Sequence, residues 1–265
     1  MNILVCVKQV PDTNEIKINP ETNTLIREGV PSIVNTFDAY ALEMAARIKD
    51  ERDTKITVVS MGPEQAKNAL RQCLSVGADK AYLVSDRAFG GSDTLATGYI
   101  LSKAIKVIEA EEGPFDIIFC GKQAIDGDTA QTGPQLADHL DYPQLTCIND
   151  IEAVDGKVKV MRETENGWEV WESPMPVVVT VTKPPYEPRY ATIRLKLAST
   201  RAEIPVLTIA EIDADPQRSG LKGSPTKVRK TFVPVRSKDG IILRDETVAD
   251  SSAKLARFLG DSGLL

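Results

Sequence analysis

This 265-residue chain is poor in histidine, in aromatic residues and in clustered cysteine. Its single histidine, His139, excludes the usual zinc sites and would have to serve any Ser-His or Cys-His hydrolysis alone. His139 lies near the end of a predicted helix, where a solvated or dipole-capping side chain is expected. We therefore predict no catalytic side chain and no metal ligand.

The cysteines do not indicate a redox or metal site either, because none shows C-x-x-C spacing. Each stands alone in an apolar stretch, which indicates a small core residue in a reducing cytoplasm. The four are Cys6, Cys73, Cys120 and Cys147.

Long apolar runs are absent, so no segment of about 18 residues is predicted to enter a membrane. The first residues lack the charged region and cleavage site of a signal peptide and are predicted to form a strand. The net charge of −6 and the isoelectric point near 5.1 argue against nucleic-acid binding. With 42% hydrophobic and 26% charged residues, the composition is typical of a globular protein, which we expect to be cytoplasmic.

What the first half does contain is an alternation of strands and helices. Strands are predicted at residues 3–7, 56–60, 81–84 and 117–120, and helices at 38–48, 63–77, 93–108 and 129–140. Pro63 is expected at the first helical position, and Gly77 is expected to end that helix. This order predicts a parallel sheet covered by helices on both faces, with ligands at the carboxyl ends of the strands.

The pattern changes after residue 140. Asn166-Gly167 predicts a hairpin between strands at 157–162 and 168–172, and further elements are a strand at 177–181 and short helices near 193–199 and 255–259. We predict an α/β domain over residues 1–212 and a C-terminal arm over 213–265. The arm is either disordered or docked on a partner, and its apolar residues favour docking. These are Phe232, Val233, Val235, Ile241, Ile242 and Leu243.

The most informative motif is Cys120-Gly-Lys-Gln-Ala-Ile-Asp-Gly-Asp-Thr-Ala-Gln-Thr-Gly-Pro-Gln135, which joins a buried strand to a helix. The free N–H groups and partial charge of a helix N-terminus bind phosphate, and Gly121 and Gly127 let the backbone approach a ligand. The motif matches neither a Walker A loop nor G-x-G-x-x-G. The alternative is an ordinary turn with polar residues.

Other strand ends are expected at the same edge. Residues 6–12, 34–38 and 60–63 follow or precede predicted elements there, and Asp38 is expected to cap a helix. After the third strand, Gly90-Gly91 precedes Ser92, Asp93 and Thr94 at a helix start, with Arg87 beside them. A second anion-binding terminus suits a pyrophosphate, whereas the alternative is a simple capping motif.

At these residues the chain resembles the beta subunit of electron transfer flavoproteins. The motifs that carry the resemblance are Val7-Lys-Gln-Val-Pro11, Asn35-Thr-Phe-Asp38, Met61-Gly-Pro63, Gly121-Lys-Gln-Ala-Ile-Asp126, Gln131-Thr-Gly133 and Glu187-Pro-Arg-Tyr-Ala-Thr192. The resemblance implies an adenine-nucleotide-binding α/β fold of the HUP type, with a small β-hairpin and a C-terminal arm that embraces an alpha subunit. The heterodimer would hold a flavin in the alpha subunit.

Residues 85–97 and 30–37 resemble the bifurcating members of the family more than the members that hold a structural AMP. That type implies a second FAD in beta, which takes a hydride from NADH. One electron would then go to ferredoxin or flavodoxin, and the other through the alpha flavin to an acyl-CoA dehydrogenase. Two other hypotheses are a structural or sensing AMP module and an ATP-hydrolysing or adenylating enzyme, which would need a phosphate loop that is missing here.

The resemblance also implies the site residues. Those expected to bind the adenosine and first phosphate are Cys6, Asn35, Phe37, Asp38, Met61, Gly121, Lys122, Gln123, Ala124, Ile125, Asp126, Gly127, Asp128, Thr129, Ala130, Gln131 and Thr132. Those expected around the rest of FAD are Arg87, Asp93, Thr94 and Thr97. Residues 190–199 resemble the loop that docks acyl-CoA dehydrogenases, with Ile193, Arg194 and Leu195 at its tip, although the lysine cluster of mitochondrial members is missing.

Overall fold

The computed structural model describes residues 1–12, 31–229 and 240–265. Four residues used in the sequence interpretation lie outside these ranges: Val30, Phe232, Val233 and Val235. The chain divides into two compact units, Met1–Arg229 and Lys230–Leu265.

Eleven strands and seven α-helices are present in the described parts of the chain. The strands are β1 Asn2–Cys6, β2 Gln9–Pro11, β3 Ser32–Val34, β4 Lys55–Met61, β5 Lys80–Val84, β6 Ile117–Gly121, β7 Gln144–Val154, β8 Lys157–Thr164, β9 Gly167–Pro174, β10 Val177–Val181 and β11 Val206–Leu207. The helices are α1 Thr36–Glu51, α2 Lys67–Val76, α3 Thr94–Glu112, α4 Thr132–Leu140, α5 Ile193–Arg201, α6 Gly220–Gly223 and α7 Val248–Asp261.

Nine strands form one sheet in the order β11-β5-β4-β1-β6-β10-β7-β8-β9. The pairs from β11 to β7 are parallel, and only β8 and β9 run antiparallel to their neighbours. Buried apolar residues divide into two clusters, one containing residues of α1 and α2 and the other residues of α3 and α4. The predicted α/β fold, a largely parallel sheet with helices on both faces, is therefore confirmed.

Strand β1 lies between β4 and β6, so the chain leaves β1 towards β4 and β5 and later returns to its other side at β6. At such a switch point the loops that follow neighbouring strands diverge and leave a crevice at the carboxyl edge. A ligand site is therefore expected beside the ends of β1 and β6.

Several details differ from the sequence interpretation. Pro63 precedes a 3₁₀ turn, Glu64–Ala66, and α2 begins only at Lys67, while Gly77 ends it at φ 139° as predicted. Strand β7 was missed, because its irregular burial hides the period-2 pattern, and it connects the parallel sheet to the hairpin. The last helix, α7, is much longer than residues 255–259.

None of the helices in the described part of the chain combines the length and the apolar character needed to cross a bilayer. The cytoplasmic location stays a prediction.

Candidate functional site

The segment between β6 and α4 forms an exposed loop at the carboxyl edge of the sheet. Two non-glycine residues in it, Asp128 and Ala130, have positive φ values of 51° and 53°. This left-handed conformation is costly for residues with a Cβ, and such strain concentrates at ligand sites. A hydrogen bond of 2.7 Å from Gln123 Nε2 to Asp128 Oδ1 closes the loop on itself.

The N-terminus of α4 has no side-chain cap, since Gln131 at the N-cap position makes no capping hydrogen bond. The first N–H groups of a helix have no intrahelical acceptor, and the helix dipole places partial positive charge there. Thr132 and Gly133 begin this helix, and its first turn holds no acidic residue. This terminus fits the phosphate role that the sequence predicted for it.

Asn35 holds the loop by both ends of its amide. Its Nδ2 donates to the Gln123 carbonyl at 2.9 Å, and its Oδ1 accepts from the Ile125 N–H at 3.0 Å. Because Asn35 is buried and its oxygen is already engaged, it positions the loop backbone. A direct contact between Asn35 and a nucleotide remains a prediction.

Asp38 joins the ends of the two central strands. Its carboxylate accepts from the Lys8 N–H at 2.7 Å and from the Gly121 N–H at 3.1 Å. Burial raises the pKa of Asp38 to about 7, although these hydrogen bonds oppose the shift. The predicted helix-capping role was wrong, because Asn35 occupies the N-cap position and Asp38 is the third residue of α1, within its first turn.

Gly121 is required by packing against this carboxylate. A Cβ at Gly121 would lie 2.2 Å from Asp38 Oδ1 and 2.7 Å from the Phe37 carbonyl carbon. Gly127, by contrast, has open space where a Cβ would be. The small size of Gly121 therefore allows close contact between β6 and α1. The sequence interpretation had explained this glycine by the close approach of a ligand.

Lys8 was absent from the predicted site residues, yet its Nζ forms an ion pair of 2.6 Å with Asp126. The pair links the chain after β1 to the loop after β6. Lys8 belongs to the motif Val7-Lys-Gln-Val-Pro11, so the sequence did point to this segment. Its pairing with a residue 118 positions away could not be inferred from the local pattern.

The start of α3 differs from that of α4 because it carries its own carboxylate. Asp93 is the N-cap, and its Oδ1 accepts from the Ala96 N–H at 3.1 Å. The Asp93 N–H donates to Ser224 Oγ, and Oδ2 accepts from the N–H and the hydroxyl of Thr226. No local pattern could have revealed Ser224 and Thr226, which lie more than 130 residues away.

The two helix starts nevertheless meet. The Thr94 hydroxyl donates to Gln131 Oε1 at 3.1 Å, so the first residue of α3 contacts the N-cap residue of α4. Thr97 lies one turn further along α3, where its N–H donates to the Asp93 carbonyl. The two predicted phosphate anchors are thus adjacent in space.

The remaining predicted site residues surround this edge or lie beside it. Cys6, Cys73 and Cys120 are buried, as predicted for core residues, and Cys6 and Cys120 are register partners on β1 and β6. A hydrogen bond with the Cys6 thiol, together with burial, raises the pKa of Cys120, which keeps the thiol protonated. Met61 ends β4, and Arg87 is an exposed residue that begins a 3₁₀ turn.

The predicted docking segment is exposed, and hydrogen bonds hold the chain on both sides of it. Ile193 and Tyr190 have 82% and 96% of their surface accessible. Arg189, just before them, donates to both Glu43 carboxylate oxygens and to Asp50. Arg71 donates to backbone carbonyls at the other end of α5, including that of Ser199 at 2.7 Å. Arg194 is exposed, and Leu195 has its N–H capped by Thr192 Oγ1.

A mostly parallel sheet with an uncapped helix start at its switch point defines an α/β protein that suits a phosphate-bearing ligand. The model of the electron transfer flavoprotein domain family matches residues 22–212. The chain is 55% identical to the electron transfer flavoprotein subunit beta of Megasphaera elsdenii, over 93% of this chain and 92% of that protein. It is 44% identical to the caffeyl-CoA reductase-Etf complex subunit CarD of Acetobacterium woodii over the whole of both chains.

A further relative is the protein FixA of Azotobacter vinelandii, which is 46% identical over 88% of this chain and 84% of that protein. The chain belongs to the electron transfer flavoprotein beta subunit family. Its role therefore falls within electron transfer.

Proposed function

We propose that this chain is the FAD-binding beta subunit of a bifurcating electron transfer flavoprotein. The observation that carries the proposal is the hydrogen bond between Thr94 and Gln131, because it joins a second helix start to the phosphate loop. A ligand with one phosphate needs only the uncapped start of α4. A ligand with a pyrophosphate extends to the neighbouring start of α3.

The residues present fit such a ligand, but Asp93 takes a different role from the one that the sequence suggested. The start of α4 offers N–H groups without a competing carboxylate. At the start of α3, the Asp93 carboxylate already takes the Ala96 N–H and would repel a phosphate. The second phosphate would therefore be held by the hydroxyls of Thr94 and Thr97, with Asp93 fixing the turn that presents them.

When bound, FAD supplies the hydride acceptance from NADH and the division of the electron pair. The chain itself binds and orients the cofactor. The loop held by Asn35 and Asp38 presents backbone N–H groups, and the exposed Arg87 is a cation available to the NADH or flavin end. No side chain of this site is assigned a proton-transfer role.

The proposed partners follow from the family and from exposed apolar surfaces. An alpha subunit would complete the heterodimer, and α7 supports a docking role for the C-terminal arm because Val248, Leu255 and Phe258 are exposed at helical spacing. Ile193 and Tyr190 would dock an acyl-CoA dehydrogenase. Ferredoxin or flavodoxin would take the low-potential electron.

The AMP-holding type is the second candidate, and the capping role of Asp93 favours it. The Asp93 carboxylate caps the start of α3, so a phosphate there would meet a negative charge. Only the start of α4 then remains as a phosphate anchor. In that case the chain would hold a structural AMP and would not react with NADH.

Reconstitution with the alpha subunit, followed by flavin and nucleotide counting, separates the two. We expect two FAD molecules per heterodimer and reduction of flavin by NADH. One FAD together with one AMP, and no reaction with NADH, would contradict the bifurcating assignment and leave the beta subunit family unaffected.

A further inference from the structure

A cavity outside the predicted cofactor site lies between α3, the end of α4 and the segment around α6. Its volume is about 400 Å³. None of the predicted cofactor residues lines it, and neither family membership nor the proposed function assigns it a ligand. A volume of this size is within the range of small-molecule sites.

The charged groups of this cavity are all cationic. Arg218 and Lys222 line it, and no Asp or Glu does. In the described ranges neither cation takes part in an ion pair. Asp215 stands three residues before Arg218, but its carboxylate accepts from the Gln217 N–H. In a protein with a net charge of −6, a cavity with two unpaired cations selects an anion.

Arg218 is held in place by an aromatic ring. Its guanidinium carbon lies 4.0 Å from the centre of the Tyr99 ring. Stacking leaves the N–H edge of a guanidinium free, and that edge matches the paired oxygens of a phosphate. Tyr99 is itself fixed, since its hydroxyl accepts from the Asp215 N–H at 2.9 Å.

The cavity wall also contains a polar atom without a partner and an apolar surface. His139 Nε2 is buried and has no hydrogen-bond partner among the described residues. The imidazole meets Tyr99 edge to face, with ring centres 6.0 Å apart. His139 lies in the last turn of α4, as predicted, but its Nε2 is buried and not solvated. Leu95 and Pro225 supply exposed apolar surface on the same wall.

Hydrogen bonds make the wall rigid before any ligand arrives. The Gly220 N–H donates to Ser92 Oγ at 3.1 Å, and Ser224 Oγ accepts from the Asp93 N–H at 2.8 Å. These bonds tie the segment that carries both cations to the start of α3. A preformed cationic wall loses little conformational entropy on binding.

We infer that this cavity binds an organic phosphate, with the phosphate between Arg218 and Lys222 and the carbon skeleton against Leu95 and Pro225. The volume exceeds that of a free phosphate ion, and the apolar wall needs a carbon skeleton to cover it. The phosphate is favoured over a carboxylate because two separate cations and a bidentate guanidinium match its three oxygens.

The test uses His139 as its reporter, because it is the only histidine of the chain. The full chain, labelled with ¹³C-histidine and saturated with added FAD, is titrated with phenyl phosphate, inorganic phosphate and benzoate. We expect a saturable shift of the His139 resonance with phenyl phosphate and weaker binding of the other two. Failure of phenyl phosphate to shift the resonance, or equal binding of benzoate, would overturn the assignment.

Three variants complete the experiment. Arg218→Gln and Lys222→Gln are each expected to weaken phenyl phosphate binding by about tenfold, the effect of one lost charged hydrogen bond. Lys106→Gln removes a cation from an exposed position of α3 that does not line the cavity, and it should leave the affinity unchanged. An unchanged far-UV circular dichroism spectrum shows that each variant folds. Equal weakening in all three would show general charge attraction and would contradict a specific site.

Discussion

The hydroxyl of Thr94 donates a hydrogen bond of 3.1 Å to Oε1 of Gln131, which joins the starts of two helices 37 residues apart in the chain. Gln131 belongs to the loop that follows β6, and Thr94 belongs to the segment that follows β5. These strands are not neighbours in the sheet, since β4 and β1 lie between them. The loops must therefore lean across the carboxyl edge to meet, and a bound dinucleotide would have to follow the same path.

The first prediction concerns these hydroxyls. Replacing both Thr94 and Thr97 by valine keeps their shape and removes the proposed contacts to the second phosphate. Each lost hydrogen bond to a charged group costs on the order of 1.5–3 kcal/mol, so FAD affinity should fall by at least about tenfold. AMP affinity should not change, because the start of α4 is intact.

Thr200→Val is the matched control, since its hydroxyl lies on α5 and donates to the Leu197 carbonyl. Equilibrium dialysis with FAD and AMP measures both affinities. Retention of full FAD affinity in the double variant would remove the second phosphate anchor from the site.

The second prediction concerns pH. The folded state keeps a proton on Asp38 up to about pH 7, whereas the unfolded chain releases it near pH 3.8. The contribution of Asp38 to stability is therefore complete below about pH 4, is lost as the pH rises through the window up to 7, and is constant above it. Asp38→Asn removes this titration, so its free energy of unfolding should depend less on pH across that window.

Urea unfolding of the two proteins at pH 5 and pH 8 measures the difference. Asp50→Asn is a useful comparison, because a hydrogen bond from Arg189 lowers the pKa of Asp50 and its contribution changes with pH in the opposite direction. An identical pH dependence in Asp38→Asn and the unmodified protein would contradict the prediction.

The third prediction concerns the ion pair between Lys8 and Asp126, which we expect to order the loop at residues 122–128 without adding much to the stability of the fold. The ion pair between Lys8 and Asp126 is partly exposed, with 48% and 25% of the two side chains accessible, so Lys8→Met should change the free energy of unfolding by less than about 1 kcal/mol. Hydrogen exchange in residues 122–128 should nevertheless become faster, because the pair links this loop to the end of β1. Lys254→Met breaks an ion pair with Asp245 elsewhere in the chain and should leave exchange in the loop unaffected.

The fourth prediction concerns docking. Ile193→Glu places a charge at the exposed first residue of α5 and should abolish electron transfer from the heterodimer to an acyl-CoA dehydrogenase. Flavin content and NADH reduction should be unchanged, because the side chain lies outside the cofactor site. Thr200→Glu, on the same helix, is the control. Normal reduction of the dehydrogenase by the Ile193→Glu heterodimer would show that docking occurs elsewhere.

Much of the fold was predictable from local patterns. Four parallel strands and the helices between them follow from apolar periodicity, and Gly77 ends its helix because it adopts a φ that other residues avoid. Strand β7 and the short strands β2, β3 and β11 were not predicted. Their residues form strands only because a neighbouring strand of the same chain supplies the hydrogen bonds.

The amino-acid sequence by itself determined the alternation of strands and helices, the polar loop before α4 and the family. Those properties depend on residues close together in the chain. Only the tertiary structure decided what individual side chains do: Asn35 and Asp38 hold the loop backbone, Asp93 caps α3, and Cys6 lies beside Cys120. The physical reason is that a buried polar group must find a partner, and the nearest partner in space is set by strand order and loop path, which neighbouring residues in the chain do not encode.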